Sequence, residues 1–327
     1  MKAFVTGGSG FIGGRLVERL VGEGRSVRAL ARSEAAAQRV AELGAEPVRG
    51  DIGDRASLVA AVAGTEVAFH LAAHLGEWGD WADFERGNVD GTLNALAACA
   101  EAGVRRFVHC GTEAALMAGE PLIHVDESAP LRPDSRAPYP ATKARAEQAV
   151  RDANRAGFET VAVRPRFVWG KDDTTLLPEM VETVEAGKWA WIGGGSNVTD
   201  TTHVDNVVEG LVLAAEKGRG GEAYFVTDGE PVVFREFVTA LLQTQSVEPP
   251  GRSVPAWTAA PMARVAETIW KVLPLSSPPP MTTFRSWLLT QECTIDISKA
   301  RAELGYAPVV SHELGLAELR ESAPGRR

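Results

Sequence analysis

Cysteine and positive charge are the two features that this sequence of 327 residues has little of. Its three cysteines, Cys99, Cys110 and Cys293, include no pair at metal-ligand spacing, so neither a disulfide framework nor a metal site is expected. We interpret them as small apolar residues that are buried in a protein kept in a reducing compartment.

Charge and hydropathy exclude two further classes of protein. Lysine and arginine total 34 against 43 aspartates and glutamates, a net charge of −9, so no broad cationic surface for nucleic acid is expected. No apolar run reaches the ~18 residues that a membrane span needs, so no integral membrane segment is predicted. The first residues already resemble a strand, so no signal peptide is expected and the predicted location is cytoplasmic.

The first half of the chain alternates short apolar runs with longer amphipathic stretches. The candidate strands are residues 3–5, 27–30, 67–70, 107–109 and 160–163, and the candidate helices are residues 11–20, 58–63 and 89–100. Alternation at this spacing is typical of a parallel sheet that helices cover on both faces. The predicted fold class is therefore α/β, with a doubly wound parallel sheet of the Rossmann type.

The pattern changes after about residue 170. Candidate elements there are helices at 176–186 and 204–215, a late strand at 223–226, and a stretch at 249–280 rich in proline, alanine and tryptophan. We predict two domains. They are a dinucleotide-binding domain over residues 1–170, to which residues 198–230 return, and a smaller α-rich C-terminal substrate domain formed by residues 171–197 and 231–327.

A glycine-rich segment, Thr-Gly-Gly-Ser-Gly-Phe-Ile-Gly at residues 6–13, follows the first strand and opens the first helix. Its first glycine permits a tight turn, the next lets the backbone approach a pyrophosphate, and the last lets helix and strand pack closely. The helix N-terminus then offers N–H groups and a positive dipole end to phosphate. The residues expected at the cofactor are Gly7, Gly10, Phe11, Ile12 and Gly13.

The ends of the next two strands bear on which cofactor is bound. An acidic residue after the second strand would bind both ribose hydroxyls and favour NAD, but this position is Ala31, followed by Arg32. The Arg32 guanidinium suits a 2′-phosphate, so NADP(H) is favoured with NAD(H) as the alternative, unless Arg32 is simply exposed at a strand end. Asp51 and Ile52 follow the third strand at the adenine position, where Asp51 also fits as a helix N-cap.

Tyr139 and Lys143 are candidate catalytic residues. They are four residues apart on a predicted helix, hence on one face, and Pro140 suits its first turn. A tyrosine with its ordinary pKa near 10 exchanges protons poorly at neutral pH, and a neighbouring ammonium is expected to lower that pKa.

Taken together, several motifs resemble those of the extended short-chain dehydrogenase/reductases, and within them the 3β-hydroxysteroid dehydrogenase/isomerase-like branch. The likeness also includes the 2-alkyl-3-oxoalkanoate reductases and spans nearly the whole chain. The motifs are residues 6–13, 51–52, 70–73 (His-Leu-Ala-Ala), 88–92 (Asn-Val-Asp-Gly-Thr), 139–143, 164–170, 200–206 and 223–231.

The resemblance implies an NAD(P)-dependent oxidoreductase with a third catalytic residue after the fifth strand. Thr112 takes that place, with Gly111 where a serine is usual and with Glu113 next to it. Glu113 is either a second acid/base or a solvated loop residue, and we favour the latter. Asn88 also fits as a helix N-cap, and Pro165 as a strand end. Further residues that the resemblance implies at the cofactor are Leu71, Ala72, Ala73, Asn88, Pro165 and Val168.

The substrate is expected in a cleft between the sheet edge and the second domain. The resemblance assigns residues 77–81, 166–167, 189–192 and 257–289 to this cleft, and the candidate substrate residues are Glu77, Trp78, Glu113 and Arg166. The last segment is rich in Trp, Met, Phe and Leu, which favours a small substrate with an apolar body and a hydroxyl or ketone group, such as a 3β-hydroxysteroid or a long-chain β-hydroxy or β-keto acid.

Two alternatives remain open at this point. A nucleotide-sugar epimerase or dehydratase of the same superfamily usually carries Arg-Asp where this chain has Thr199 and Asp200. A non-catalytic dinucleotide-sensing regulator commonly lacks the Tyr/Lys pair. We favour the oxidoreductase over both, and we expect a homodimer as its oligomeric state.

Overall fold

A computed structural model of the chain describes residues 2–273, 275 and 277–323. A seven-stranded parallel sheet forms its centre. From one edge to the other, its strands are Glu46–Arg49, Ser26–Ala31, Lys2–Thr6, Val67–His70, Arg106–Cys110, Glu159–Pro165 and Ala223–Val226. The predicted doubly wound sheet is confirmed. The strands are β1 (Lys2–Thr6), β2 (Ser26–Ala31), β3 (Glu46–Arg49), β4 (Val67–His70), β5 (Arg106–Cys110), β6 (Leu122–Val125), β7 (Glu159–Pro165), β8 (Val168–Trp169), β9 (Trp191–Ile192), β10 (Val198–Thr199), β11 (Thr202–His203), β12 (Ala223–Val226), β13 (Val232–Val233), β14 (Ser253–Val254) and β15 (Cys293–Ile295).

Helices cover both faces of this sheet. The α-helices are α1 (Phe11–Gly22), α2 (Glu34–Glu42), α3 (Arg55–Val62), α4 (Trp81–Phe84), α5 (Gly91–Glu101), α6 (Pro138–Asp152), α7 (Leu176–Glu185), α8 (Val204–Lys217), α9 (Phe234–Thr244), α10 (Ala259–Val272), α11 (Thr283–Thr290) and α12 (His312–Ser322). Short 3₁₀ turns are Glu113–Leu116, Gly193–Gly195 and Ala256–Thr258, and π-helical turns are Glu85–Asp90 and Ala300–Leu304.

The two hydrophobic cores follow from the period of two along each buried strand. In β1, Ala3 and Val5 face the core that α1 and α8 cover, whereas Phe4 faces the core that α3 and α5 cover. The same alternation recurs in β5 with Val108 and Phe107. Strands that are buried on both faces are therefore continuously apolar, and this is why the sequence shows them as short apolar runs.

The second half of the chain builds a smaller layer beside the carboxyl ends of the main sheet. A four-stranded mixed sheet, β13-β10-β15-β6, lies there with α7, α9, α10 and α11. Ala223–Val226 joins the main sheet as its edge strand, while Val198–Thr199 belongs to the small sheet. The division into two domains stays a prediction, and its residues 274, 276 and 324–327 lie outside the described part of the chain.

Two further expectations have structural counterparts. The three cysteines are all buried, as expected for small apolar residues. Among the described residues, no helix is long and apolar enough to cross a membrane.

Candidate active site

The glycine-rich turn joins β1 to α1 with almost no free space around its glycines. Gly7 has φ of +73°, and a Cβ atom there would lie 2.8 Å from the backbone nitrogen of Ala72. A Cβ on Gly13 would lie 2.0 Å from the carbonyl oxygen of Gly7. Gly10 is the N-cap of α1 and has no side chain to cover the first-turn N–H groups. The backbone of residues 10–13 could therefore hold a dinucleotide pyrophosphate.

The neighbouring strand ends bring the predicted adenosine-side residues together. Arg32 directly follows β2, its side chain is 85% exposed, and its Nε lies 4.0 Å from Oδ2 of Asp51. The interpretation of Asp51 as a helix N-cap is wrong, because Asp54 caps α3 and Asp51 instead accepts a hydrogen bond from Gly53. Arg32 is thus free to turn toward a ligand at this edge.

The residues after β4 are held against β1 by hydrogen bonds. The backbone N–H of Leu71 donates to the carbonyl of Thr6, and that of Ala72 donates to the Thr6 hydroxyl, both at 3.2 Å. The Thr6 hydroxyl also lies 2.8 Å from Nδ1 of His70. Burial lowers the pKa of His70 to about 3. A neutral, buried histidine therefore fixes the strand ends beside the glycine turn, and Ala73 follows on the same segment.

Asn88 has a positioning contact rather than a capping one. It lies in the π-helical turn before α5, where its Oδ1 accepts from the backbone N–H of His74 at 2.7 Å. Its amide nitrogen donates to the Thr142 hydroxyl at 3.0 Å. The N-cap interpretation of Asn88 is wrong, because the helix continues through this residue. Asn88 instead links the π-helical turn to α6 at Thr142, the residue before Lys143.

Tyr139 and Lys143 lie one turn apart at the start of α6, as predicted. The Lys143 ammonium is buried and donates to the carbonyl oxygen of Cys110 at the end of β5, at 2.9 Å. Burial lowers the pKa of Lys143. Burial also raises the pKa of Tyr139 above its ordinary value, and the charge of Glu113 raises it further. The expected lowering of this pKa by Lys143 is not found, since burial and Glu113 raise it; the Lys143 ammonium donates to the Cys110 carbonyl.

Glu113 is not a solvated loop residue, and that expectation is wrong. Only 3% of Glu113 is exposed, because the 3₁₀ turn after β5 directs its side chain inward. One carboxylate oxygen accepts from the Thr112 hydroxyl at 2.8 Å and the other accepts from Arg166 at 2.5 Å. Arg166 also donates to the Thr199 hydroxyl at 3.2 Å. Arg166 therefore neutralises a buried carboxylate beside Thr112, and its guanidinium is occupied by Glu113 and Thr199.

An apolar cavity of about 210 Å³ lies near this site. Aromatic and aliphatic side chains form most of its wall, including Phe167, Met180, Trp189, Trp191, Ile192, Phe234, Met281, Leu288 and Leu289. Glu77 at its rim is bonded to Arg285 at 2.6 Å, and burial raises the pKa of that carboxyl. Pro165 ends β7 and Val168 begins β8, so Val168 directly follows Phe167 and Pro165 lies two residues before it.

Trp78 lines a second opening of about 550 Å³, together with Glu77, Pro138, Trp270 and Phe284. The Phe284 ring lies 5.8 Å from the Tyr139 ring. The segment 257–289 is therefore split, because Met281 and Phe284 face these cavities whereas Trp257 is 77% exposed.

Sequence reasoning missed two groups of residues at this site. Leu176 and Met180 on α7 line the cavity from a helix that was predicted but not assigned to the cleft. Their spacing of four residues on an amphipathic helix was the available signal. Thr199 was treated only as a missing arginine, and its bond to Arg166 had no sequence signal because the two residues are distant in the chain.

A glycine turn at β1, a Tyr/Lys pair against the end of β5 and a hydroxyl residue after that strand share one edge of a parallel sheet. This arrangement is that of the extended short-chain dehydrogenase/reductases, which transfer hydride between a nicotinamide dinucleotide and a carbon–oxygen group.

Comparison with known proteins narrows this class. The 3-beta hydroxysteroid dehydrogenase/isomerase family matches residues 4–256, so the chain belongs to this family and is an NAD(P)-dependent oxidoreductase. A 4-hydroxy-2-methyl-3-oxo-4-farnesyl-3,4-dihydroquinoline-1-oxide ketoreductase of Stigmatella aurantiaca is 48% identical, over 99% of this chain and 97% of that protein. A 2-alkyl-3-oxoalkanoate reductase of Stenotrophomonas maltophilia is 38% identical over 99% of each chain.

A solved structure shares the fold over almost the same length. A double mutant of a dTDP-glucose 4,6-dehydratase from Streptomyces venezuelae, with NAD bound, is 26% identical and has a TM-score of 0.78. The match covers 98% of this chain and 96% of that chain.

The packing of Gly13 gives a first prediction. We expect Gly13→Ala to weaken NADPH binding strongly and to destabilise the protein by about 1–3 kcal/mol, because the added methyl group meets the Gly7 carbonyl. Gly22→Ala in the same helix is the control, since no atom lies within 4 Å of its added Cβ, and it should stabilise by ~0.5–1 kcal/mol. Fluorescence titration and thermal unfolding measure both effects. Unchanged NADPH affinity in Gly13→Ala would contradict the cofactor assignment.

Proposed function

We propose that the protein is an NADPH-dependent ketoreductase whose substrate carries a large apolar body, of the kind found in a sterol or a long-chain β-keto acid. The observation that carries this proposal is the apolar cavity joined to the catalytic helix through α11. Phe284 on α11 packs against Tyr139, while Leu288 and Leu289 one turn later line the cavity. A substrate body in the cavity would extend toward Tyr139.

The energetics suit such a substrate. Burial of apolar ligand surface contributes roughly 25 cal/mol per Å², so about 300 Å² would provide several kcal/mol without a charged anchor. Two similar proteins are named for a farnesyl-substituted quinoline oxide and for alkyl oxoalkanoates, and both names describe ketones with apolar substituents.

The proposed chemistry uses residues already in place. When bound, the nicotinamide supplies the hydride to the substrate carbon. Tyr139 would donate its proton to the ketone oxygen, and burial, which raises its pKa, favours the protonated form that this step needs. The Thr112 hydroxyl donates to Glu113 in this structure, so it would have to turn toward the substrate to orient the ketone oxygen. Lys143 would hold the nicotinamide ribose, and its ammonium would stabilise the phenolate that forms. Gly7, Gly10 and Gly13 would hold the pyrophosphate, because Gly10 leaves the first-turn N–H groups of α1 without a side-chain cap, and Gly7 and Gly13 have no room for a Cβ atom.

A nucleotide-sugar enzyme is the second candidate, and the solved dehydratase of the same fold supports it. Such a substrate needs cations that are free to bind its diphosphate. Arg285 at the cavity rim is already bonded to Glu77 and Glu179, and Arg166 is bonded to Glu113. Lys188 also lines the cavity and is exposed, so it is the cation that a diphosphate would meet there. Because the two arginines are held by carboxylates, the charges near the cavity favour the apolar ketone.

The function is tested by turnover on three substrate classes with a Tyr139→Phe variant. We expect NADPH-dependent reduction of a 2-alkyl-3-oxo fatty acid or a 3-oxosteroid, and no reaction with UDP-glucose or dTDP-glucose. Tyr139→Phe should lower kcat by roughly 10²–10⁴ while the Kd of NADPH changes little, because one acidic proton is removed at nearly constant volume. Turnover of the nucleotide sugars with none of the ketones would overturn the proposal.

The buried Glu113 carboxylate generates a prediction about pH. Ketone reduction needs protonated Tyr139, so the rate falls as pH rises through the Tyr139 pKa, which Glu113 raises. We expect Glu113→Gln to move this basic limb of kcat/KM to lower pH, since a negative charge is removed.

A matched control separates this effect from a loss of stability. Glu147→Gln breaks a second fully buried pair, with Arg164, and should cost a similar ~3–5 kcal/mol of stability without moving the limb to the same extent. A limb at the same pH in the parent and in Glu113→Gln would refute the role of the carboxylate.

The preference for NADPH rests on Arg32. We expect Arg32→Ala to weaken NADPH binding by about 1.5–3 kcal/mol, or roughly 10- to 150-fold, and NADH binding far less, because only NADPH carries the 2′-phosphate. Arg105→Ala is the control, because Arg105 is 75% exposed and directly precedes β5, at the amino ends of the strands. Equal losses for both cofactors, or tighter binding of NADH by the parent protein, would show that the preference is wrong.

A further inference from the structure

Exposed apolar side chains are concentrated in one part of the chain. Of the thirteen large hydrophobic residues exposed among those described, seven lie between residues 257 and 275. Four of the seven form what we call the α10 stripe, which consists of Met262, Val265, Ile269 and Val272. Their spacing of three, four and three residues places them along one face of the helix.

The other face of α10 is packed. Ala259, Ala263 and Ala266 are buried, and the first two belong to an apolar cluster with Ile192 and Met281. The helix is therefore held to the protein by small residues while its larger apolar side chains face outward. A surface helix of a globular protein normally shows the reverse arrangement, so the α10 stripe indicates an interaction surface.

The charges on α10 indicate what covers this surface. Its ionisable residues are Arg264, Glu267 and Lys271. Glu267 is engaged by Thr283, whose backbone N–H and hydroxyl both donate to its carboxylate. Arg264 and Lys271 are exposed, so the outward charge of the helix is positive in a chain with a net charge of −9. An apolar stripe beside cations is complementary to anionic lipid headgroups above acyl chains.

The ends of the stripe and its position fit the same partner. Trp257, 77% exposed, precedes the helix, and indole rings favour the headgroup level of a bilayer. Lys271 and Trp270 also line the opening that Phe284 shares with the start of α6. Helical spacing places these residues on a different side of α10 from the stripe, so a surface bound to the stripe leaves this opening uncovered.

We propose that α10 docks in the plane of an anionic lipid surface, with the α10 stripe inserted among the acyl chains and with Arg264 and Lys271 at the headgroups. A second copy of the chain fits less well, because an isologous contact through the stripe would bring the cations of the two copies near each other. Lipid phosphate would neutralise these cations instead.

The test is flotation of the full chain with vesicles of phosphatidylcholine alone or of phosphatidylcholine mixed with phosphatidylglycerol. We expect binding to the mixed vesicles, weaker binding to the neutral ones, and a decrease with added salt. The double variant M262S/I269S should lose binding by roughly tenfold or more, because two inserted apolar side chains are removed. Arg264→Gln should weaken binding to the mixed vesicles only.

The double variant I123S/L314S is the matched control, since these residues are 59% and 63% exposed outside α10. It should bind vesicles as the parent does. No flotation of the parent, equal losses in both double variants, or a dimer in light scattering that M262S/I269S abolishes would overturn the proposal. Reduction of a water-soluble ketone by M262S/I269S should match the parent, so failure of lipid binding and failure of the proposed reductase activity are distinguishable.

Discussion

The buried ion pair between Glu113 and Arg166 links three parts of the molecule that the site needs together. Glu113 follows β5, Arg166 follows β7, and Arg166 also bonds Thr199 in the small sheet. Two charges withdrawn from water require each other, and removing one partner of such a pair typically costs about 3–5 kcal/mol. The small sheet is thereby fixed against the carboxyl edge of the main sheet, next to Thr112.

A second buried pair fixes the catalytic helix to the same strand. Arg164 in β7 donates to Glu147 in α6 at 3.0 Å, and neither side chain is exposed. Because Glu147 is one turn after Lys143, this contact sets the depth of the Tyr/Lys face above the sheet. Asn88 supports it from the other side through Thr142. Strand β7 and the residue after it therefore position two parts of the site. Arg164 holds α6 through Glu147, and Arg166 holds the turn after β5 through Glu113.

The parts of the fold that local sequence encodes could be predicted. Neighbouring residues alone specify some elements, so these could be predicted without knowledge of the fold. They are the glycine turn and the strands at residues 67–70 and 223–226. The burial of Glu113 could not be predicted, because the charge that compensates its carboxylate comes from Arg166, 53 residues later. Residues 257–289 could be predicted as apolar. The spacing of apolar residues along α10 does not show, however, which face of the helix packs against the protein and which faces outward.

The apolar cavity and the polar residues around Thr112 contribute to substrate recognition in different ways. Apolar contact is non-directional, so the cavity wall can hold a substrate body without setting which carbon meets the nicotinamide. Direction has to come from polar groups of fixed orientation, and the Thr112 hydroxyl is held in place because it donates a hydrogen bond to Glu113. Helix α11 connects these two functions, since it carries Phe284 against Tyr139 and Leu288 into the cavity. A substrate body in the cavity would therefore contact the same helix that packs against Tyr139.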